Sequence, residues 1–243
     1  MDSGNYAACA GLRAQTETLE LIANNVANIN TTGFRGQQPQ FSSLLAVASE
    51  SAGALSAAVN NFNVLEASRV DLSPGNLEPT GNPLDLGIEG KGFFVVQSGN
   101  GVLYTRNGSF QISAAGQLTT STGKPVLGEQ GAIMLPSGRI SISGDGTISV
   151  DGAVVGKLRL VEFAPGNSPQ PLGSTDYSAP DASVEPAPDA AVRQGMLESS
   201  NVNAVGAVTD LISVERRAEM LERALSLFYS NFNHIAASDL PHV

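Results

Sequence analysis

The chain has 243 residues, 42% of them hydrophobic, with 13 Lys and Arg residues against 23 Asp and Glu and a formal net charge of −10. This balance disfavours nucleic acid and anionic lipid as partners, because both are held by clustered basic side chains. The single cysteine, Cys9, excludes an intramolecular disulfide and a cysteine-based metal cluster. The N-terminus lacks the cationic and apolar regions of a cleavable signal peptide, so we expect any export to follow another route.

An amphipathic helix is predicted over residues 5–29. Its apolar residues recur every seven positions in two rows, which gives a narrow stripe suited to pairing with another helix: Leu12, Leu19, Ile22, Val26 and Ile29. Residues 28–33 should end the helix, because Asn tolerates and Gly favours a left-handed cap. We assign residues 1–33 to a terminal helical domain and residues 34–78 to an extended connecting segment.

Residues 79–163 predict an antiparallel, mainly-β domain. Short β-prone runs are separated by turns that contain Gly and Asn, and the first predicted strands are Phe93–Gln97, Val102–Thr105, Ser109–Ser113 and Gln117–Thr120. Apolar and polar residues alternate between Ile140 and Val150, and Asp-Gly pairs at 145–146 and 151–152 mark further hairpin turns.

Six of the 13 prolines fall within residues 164–191, so residues 164–196 are predicted to form a Pro-rich linker and return segment. Residues 197–243 then form a heptad helix, whose apolar residues alternate in steps of three and four: Ala204, Ala207, Leu211, Val214, Ala218, Leu221, Leu225, Phe228, Phe232 and Ile235. A stripe of this length needs an apolar partner, and the N-terminal helix is the obvious one.

The sequence contains no catalytic, metal or cofactor motif that withstands inspection. The two histidines, His234 and His242, lie near the C-terminus, and the Gly-Lys pairs at 90–91 and 123–124 lack the remaining residues of a phosphate-binding loop. The acidic stretch at 145–152 lacks the glycine and the terminal glutamate of a calcium loop. We therefore expect no enzyme, no cofactor and no small-molecule substrate, and we expect an interaction surface instead.

Residues 21–37, LIANNVANINTTGFRGQ, resemble the N-terminal signature of the bacterial flagellar rod and hook proteins. That signature reads Asn-Leu/Val-Ala-Asn and then Thr-x-Gly-Phe/Tyr, and the matching turn residues are Asn25, Asn28, Thr31, Gly33 and Phe34. Residues 83–128 resemble the family's central region, and residues 197–220 resemble its C-terminal block. Within the family, the opening residues and the short length are most similar to the proximal rod subunits, with the distal rod subunits second.

The resemblance implies a structural subunit of the flagellar basal-body rod that transmits torque for motility. It implies an α+β fold in which the N- and C-terminal helices pair as a coiled coil and the antiparallel β domain is inserted between them. The apolar stripes of both helices would form the subunit interface, with copies of the chain and other rod and hook axial proteins as partners. Export would run through the flagellar type III apparatus, and the assembled rod would span the periplasm.

Two other functions compete with this interpretation. The first is a secreted β-rich adhesin or binding module that its heptad helix oligomerises. The second is a carbohydrate-active β enzyme, which the sequence disfavours because its carboxylates are scattered and converge on no evident cleft.

Overall fold

The computed structural model describes residues 2–43, 63–99 and 101–238. Two helices, α1 (Asp2–Ala27) and α2 (Ala204–Ser238), lie towards the chain ends, and neither is long and apolar enough to cross a membrane. The strands between them, numbered along the chain, are β1 (Gln37–Ser43), β2 (Asn63–Val70), β3 (Leu77–Pro79), β4 (Leu86–Glu89), β5 (Phe93–Ser98), β6 (Gly101–Thr105), β7 (Phe110–Ile112), β8 (Leu118–Thr120), β9 (Leu127–Gly128), β10 (Gly131–Ala132), β11 (Ile140–Ile142), β12 (Thr147–Val150), β13 (Ala153–Lys157), β14 (Leu160–Phe163), β15 (Gln170–Pro171), β16 (Asp176–Ser178), β17 (Val184–Pro186), β18 (Ala191–Gln194) and β19 (Met196–Glu198).

The chain forms two compact units. The first, termed the helical unit, comprises Met1–Val26, Gln37–Ser68 and Ala204–Val243, and it therefore contains both helices together with β1 and most of β2. The second, termed the β unit, comprises Ala27–Gly36 and Arg69–Asn203. The structure confirms two terminal helices and a mainly-β domain between them, whereas the coiled-coil pairing of the helices stays a prediction.

The β unit is built around a six-stranded antiparallel sheet with the order β15-β16-β6-β5-β14-β17. Strand β5 lies inside this sheet, and four consecutive apolar residues at its start are all buried. Because side chains alternate between the two faces of a strand, Phe94 and Val96 join one hydrophobic cluster while Phe93 and Val95 join another. The run FFVV therefore supplies both cores at once.

Smaller antiparallel sheets complete the β unit. Strands β11, β12 and β13 form a three-stranded meander, and β18 pairs with β4, β19 with β3, β7 with β8, and β10 with β9. The predicted Asp-Gly turns lie at the ends of β12, where Gly146 has φ +84°, Asp151 +51° and Gly152 +84°. These left-handed residues reverse the chain between neighbouring strands, as the sequence predicted.

The Pro-rich linker and return segment predicted over residues 164–196 is folded into the β unit. This stretch contributes β15, β16 and β17 to the main sheet, and β18 pairs with β4. Pro171 and Pro186 belong to β15 and β17, the two edge strands, where a missing backbone donor costs no ladder hydrogen bond. The prolines therefore mark sheet edges.

Two other predicted segments differ from the structure. Residues 34–78 are more than an extended connection, because β1 pairs with β2 and β3 pairs with β19, and pairing satisfies the backbone groups of extended chain. Residues 197–203 precede the C-terminal helix, which begins at Ala204, and residues 197–198 belong to β19. Residues 44–62 of the predicted connection lie outside the described residues.

Replacing a large side chain of the main core tests this packing. We expect Phe94→Ala to lower the free energy of unfolding by about 3–5 kcal/mol, because it leaves a cavity where the wild-type ring is 0% exposed. Val154→Ala removes a side chain that is 72% exposed, and we expect a change within about 0.5 kcal/mol. Chemical denaturation of both variants measures the difference; equal effects would contradict the assigned core.

Candidate subunit-assembly site

The signature residues form a hydrogen-bonded turn directly after α1. The backbone N–H of Thr31 donates to the Asn28 carbonyl at 3.1 Å, and the Thr31 hydroxyl donates to the Asn28 side-chain oxygen at 3.1 Å. The backbone N–H of Phe34 donates to the Thr31 carbonyl at 3.2 Å, and the Phe34 ring is 1% exposed. The turn therefore directs the chain into the β unit and is held there by a buried aromatic ring.

Gly33 occupies a position that no other residue fits. Its φ is +70°, and its N–H donates to the Glu198 carbonyl at 2.7 Å. A Cβ at this position would lie 2.3 Å from the backbone nitrogen of Asn107 and 2.4 Å from the Arg106 carbonyl carbon. The family glycine is therefore required both by the left-handed backbone and by close contact with the chain after β6.

Behind the turn lies a cluster of three buried ionised side chains, termed the charge cluster: Arg35, Arg106 and Glu198. Arg35 Nη2 donates to Glu198 Oε1 at 2.5 Å, and Arg106 Nη1 donates to Glu198 Oε2 at 2.9 Å. The three side chains are each no more than 1% exposed. One carboxylate therefore joins two cations that are 71 positions apart in the sequence.

The charge cluster is only partly satisfied by hydrogen bonds. Arg106 also donates to the carbonyls of Ile88 at 3.2 Å and Gly90 at 2.7 Å, and its guanidinium lies 5.1 Å from the centre of the Phe93 ring. Arg35 Nε, Arg35 Nη1 and Arg106 Nε have no hydrogen-bond partner among the described residues. Burial lowers the pKa of Arg106 to about 10, with Glu198 opposing that shift and Arg35 adding to it. The charge cluster thus sets two guanidiniums against one carboxylate.

Hydrogen bonds to the backbone tie the charge cluster to both ends of the β unit. Gly75 donates its N–H to Glu198 Oε1 at 2.8 Å. Tyr177 accepts the Arg35 backbone N–H on its hydroxyl at 3.1 Å, and burial raises the pKa of Tyr177 to about 12. The side-chain oxygen of Asn201 accepts the Gly36 N–H at 2.8 Å, while its amide donates to neighbouring backbone carbonyls.

Within the helical unit, Asn25 holds the first residue of β1. Its amide donates to the Gln37 carbonyl at 2.8 Å, and its side-chain oxygen accepts the Gln37 N–H at 2.8 Å. One asparagine side chain thus satisfies both backbone groups of Gln37, an arrangement that an acidic side chain cannot make.

The predicted stripe of α1 is half-buried rather than fully buried. Leu12, Leu19, Ile22 and Val26 are partly exposed, as is Ile29 in the following turn. The fully buried residues on the described part of α1 are instead Ala14 and Thr18, and the Thr18 hydroxyl donates to the Ala14 carbonyl at 2.7 Å. A row of small residues allows close approach to a neighbouring element, and sequence analysis overlooked it.

The heptad residues of α2 form its less exposed face, termed the inner stripe: Ala207, Leu211, Val214, Ala218, Leu221 and Leu225. Val214 is buried and the others are half-buried. The side chains of Phe228, Phe232 and Ile235 lie outside the described residues. The first heptad residue, Ala204, is exposed.

The opposite side of α2 carries a second apolar row, termed the outer stripe: Val205, Val208, Ile212, Met220 and Leu227. Their exposures run from 43% for Val208 to 77% for Val205. Successive helical residues are about 100° apart, so Val205 and Ile212 lie on the reverse side from Leu211 and Val214. Heptad spacing predicts only the inner stripe, so the sequence analysis did not identify the outer stripe.

Three family models match successive parts of the chain. "Flagella basal body rod protein" matches residues 6–35, "Flagellar hook protein FlgE/F/G D1 domain" matches residues 87–150, and "Flagellar basal body rod FlgEFG protein C-terminal" matches residues 193–227. The flagellar basal-body rod protein FlgF of Escherichia coli K12 is 35% identical over 243 residues, which cover 93% of this chain and 94% of that protein. The rod protein FlgG of Agrobacterium fabrum is 35% identical over 246 residues, which cover 90% of this chain and 92% of that protein. The rod protein FlgF of Caulobacter vibrioides is 31% identical, covering 93% of each chain.

The chain belongs to the flagellar basal-body rod protein family. It is a structural protein of the rod and not an enzyme, and these comparisons give no support to an adhesin. The first family model ends at residue 35 and the third begins at 193, so both include members of the charge cluster. Sequence analysis overlooked Arg35, Arg106 and Glu198. The available signal was that each is an isolated charge in a chain with only 15% charged residues.

Alanine substitutions at two glycines of similar backbone conformation distinguish the stability cost of a left-handed backbone from the cost of a steric clash. Gly81 has φ +74°, and no atom of a described residue other than its chain neighbours lies within 4 Å of the place that a Cβ would take, so Gly81→Ala should cost only about 1–2 kcal/mol of stability. We expect Gly33→Ala to cost clearly more, because its methyl group also meets backbone atoms at 2.3 Å. Denaturation midpoints of both variants test this, and equal losses would contradict the assigned close contact.

Proposed function

We propose that this rod subunit assembles through both stripes of α2, with the inner stripe pairing with α1 as a coiled coil and the outer stripe contacting neighbouring subunits. The observation that carries the proposal is that α2 bears apolar side chains on two opposite faces. A single partner helix covers one face of a helix, so an isolated subunit would leave the other in water.

The composition of the helices supports pairing along the inner stripe. Both helices belong to the helical unit, and each has one face that is less exposed than the rest. The steps of three and four along the inner stripe are those of a heptad seam. On α1, the small buried residues Ala14 and Thr18 suit close helix contact, and the half-buried Leu12, Leu19 and Val26 form a separate apolar row.

The exposure of the outer stripe supports contact with other subunits. Val205, Met220 and Leu227 each expose more than three fifths of their surface. Exposed apolar side chains gathered on one helix face favour association with another surface. A head-to-tail contact between copies does not close on itself when its rotation fails to make a ring, and it then propagates as a helical shaft.

The remaining parts of the proposal follow from family membership. The partners would be copies of this chain and other rod and hook axial proteins, and the shaft would transmit torque across the periplasm. Export would use the flagellar type III apparatus. Within the family we propose a position in the proximal rod, which the opening residues and the short length favour, with the distal rod as the second choice.

A single aspartate on the outer stripe tests this function. Ile212→Asp places a charge on an exposed apolar row, so we expect the purified monomer to keep its melting temperature while cells producing it lose swimming and the chain is missing from purified basal bodies. Arg217→Asp is the matched control, because it puts the same side chain on an exposed part of α2 between the two stripes.

The swimming of the two strains tests the role of the outer stripe. Normal swimming of the Ile212→Asp strain, with the variant present in its basal bodies, would contradict a role for the outer stripe. A loss of swimming in the Arg217→Asp strain as well would show that any acidic substitution on α2 is harmful, and this too would contradict the assignment.

A further inference from the structure

We propose that the charge cluster is a completion checkpoint for the β unit, which stops the unit from closing until Glu198 is in place. Its three members lie at positions 35, 106 and 198, so the carboxylate that counters the two cations comes from the last described strand, β19. The proposal concerns the folding of a single subunit and holds whether or not the two stripes of α2 mediate assembly.

The charge balance makes closure depend on Glu198. With all three side chains at most 1% exposed, the charge cluster buries two cations and one anion. Arg35 already lowers the pKa of Arg106, which reflects repulsion between the two guanidiniums, and Glu198 counteracts this. Without Glu198 the same interior would hold two like charges with no counterion, an arrangement that is strongly unfavourable. A chain whose C-terminal block is not yet docked therefore cannot bury Arg35 and Arg106 together.

Closure of the β unit also brings together the segment that follows α1 and the segment that precedes α2. The Gly33 N–H donates to the Glu198 carbonyl at 2.7 Å, the Gly36 N–H to the Asn201 side-chain oxygen at 2.8 Å, and the Asn201 N–H to the Phe34 carbonyl at 3.4 Å. Residue 27 ends α1 and residue 204 begins α2. The backbone leaving α1 and the backbone entering α2 are therefore fixed side by side only once the cluster has formed.

An excess of positive charge distinguishes a checkpoint from an ordinary stabilising ion pair. Arg106 and Glu198 would still balance each other without Arg35, and Gly75 would still donate to the carboxylate. Removing the Arg35 charge should therefore be tolerated far better than removing the Glu198 charge. It should also partly repair a chain that lacks the Glu198 charge, because it abolishes the repulsion.

Trypsin cleavage of the full-length chain provides a direct readout, because trypsin cuts after arginine. Arg35 and Arg106 are buried in the closed unit, whereas Arg139 is exposed and serves as an internal reference. We expect Glu198→Gln to raise cleavage after Arg35 and Arg106 at least tenfold relative to Arg139. The melting temperature should fall by roughly 6–20 °C, as expected for an uncompensated buried charge in a domain of this size.

Glu89→Gln is the matched control, since Glu89 pairs with Arg193 at 2.6 Å in the same unit but both side chains are more than half exposed. We expect it to shift the melting temperature by less than about 4 °C, because exposed pairs contribute little. Wild-type protection of Arg35 and Arg106 in Glu198→Gln would overturn the proposal.

The double variant Arg35→Met with Glu198→Gln decides the case even if Glu198→Gln unfolds the whole unit. We expect it to melt higher than Glu198→Gln alone and to regain protection at Arg106, because the two like charges are reduced to one. If the double variant is as open as Glu198→Gln, or more open, Glu198 acts through packing and hydrogen bonds alone and the proposal is overturned.

Discussion

The β unit depends on one carboxylate placed between two guanidiniums. Glu198 binds Arg35 and Arg106 in an interior that excludes water, and its carbonyl receives the N–H of Gly33. Both contacts need the other to be in register, because the turn positions Arg35 and the strand positions Glu198. The family signature therefore has a physical role beyond ending a helix, since it provides one third of a buried charge cluster and the glycine that lets the chain approach it.

This arrangement explains why the residues after α1 and before α2 belong to the β unit although the helices belong to the helical unit. Two helices that belong to one unit need chain ends that leave the β unit at a defined place. A buried, hydrogen-bonded junction defines that place more sharply than a flexible linker, because few alternative arrangements satisfy two arginines and one glutamate at once.

Much of the fold could be predicted from sequence because its signals are local. Alternating apolar residues and Asp-Gly turns predicted β11 and β12, and the run at Phe93 predicted the buried strand β5. Proline content predicts a linker and return segment over residues 164–196 but does not indicate its strands, because Pro171 and Pro186 occupy sheet edges. The order of strands in a sheet is a non-local property that no local pattern encodes.

The candidate site was predictable only in part, for the same reason. Gly33 and Phe34 stand in a motif, but the partners of that motif, Arg106 and Glu198, lie far away in sequence with ordinary neighbours. Heptad spacing indicated the inner stripe of α2, yet a heptad search looks for one apolar face and does not report a second. Exposure in three dimensions was needed to recognise the outer stripe.

Site-specific photo-crosslinking in intact basal bodies tests the central claim most directly. A photoreactive residue at position 212 on the outer stripe should form adducts with other rod subunits, whereas the same residue at position 217 should form far fewer. Adducts from position 212 that stay within one subunit, or equal yields from both positions, would contradict the account that α2 joins neighbouring subunits through its outer face.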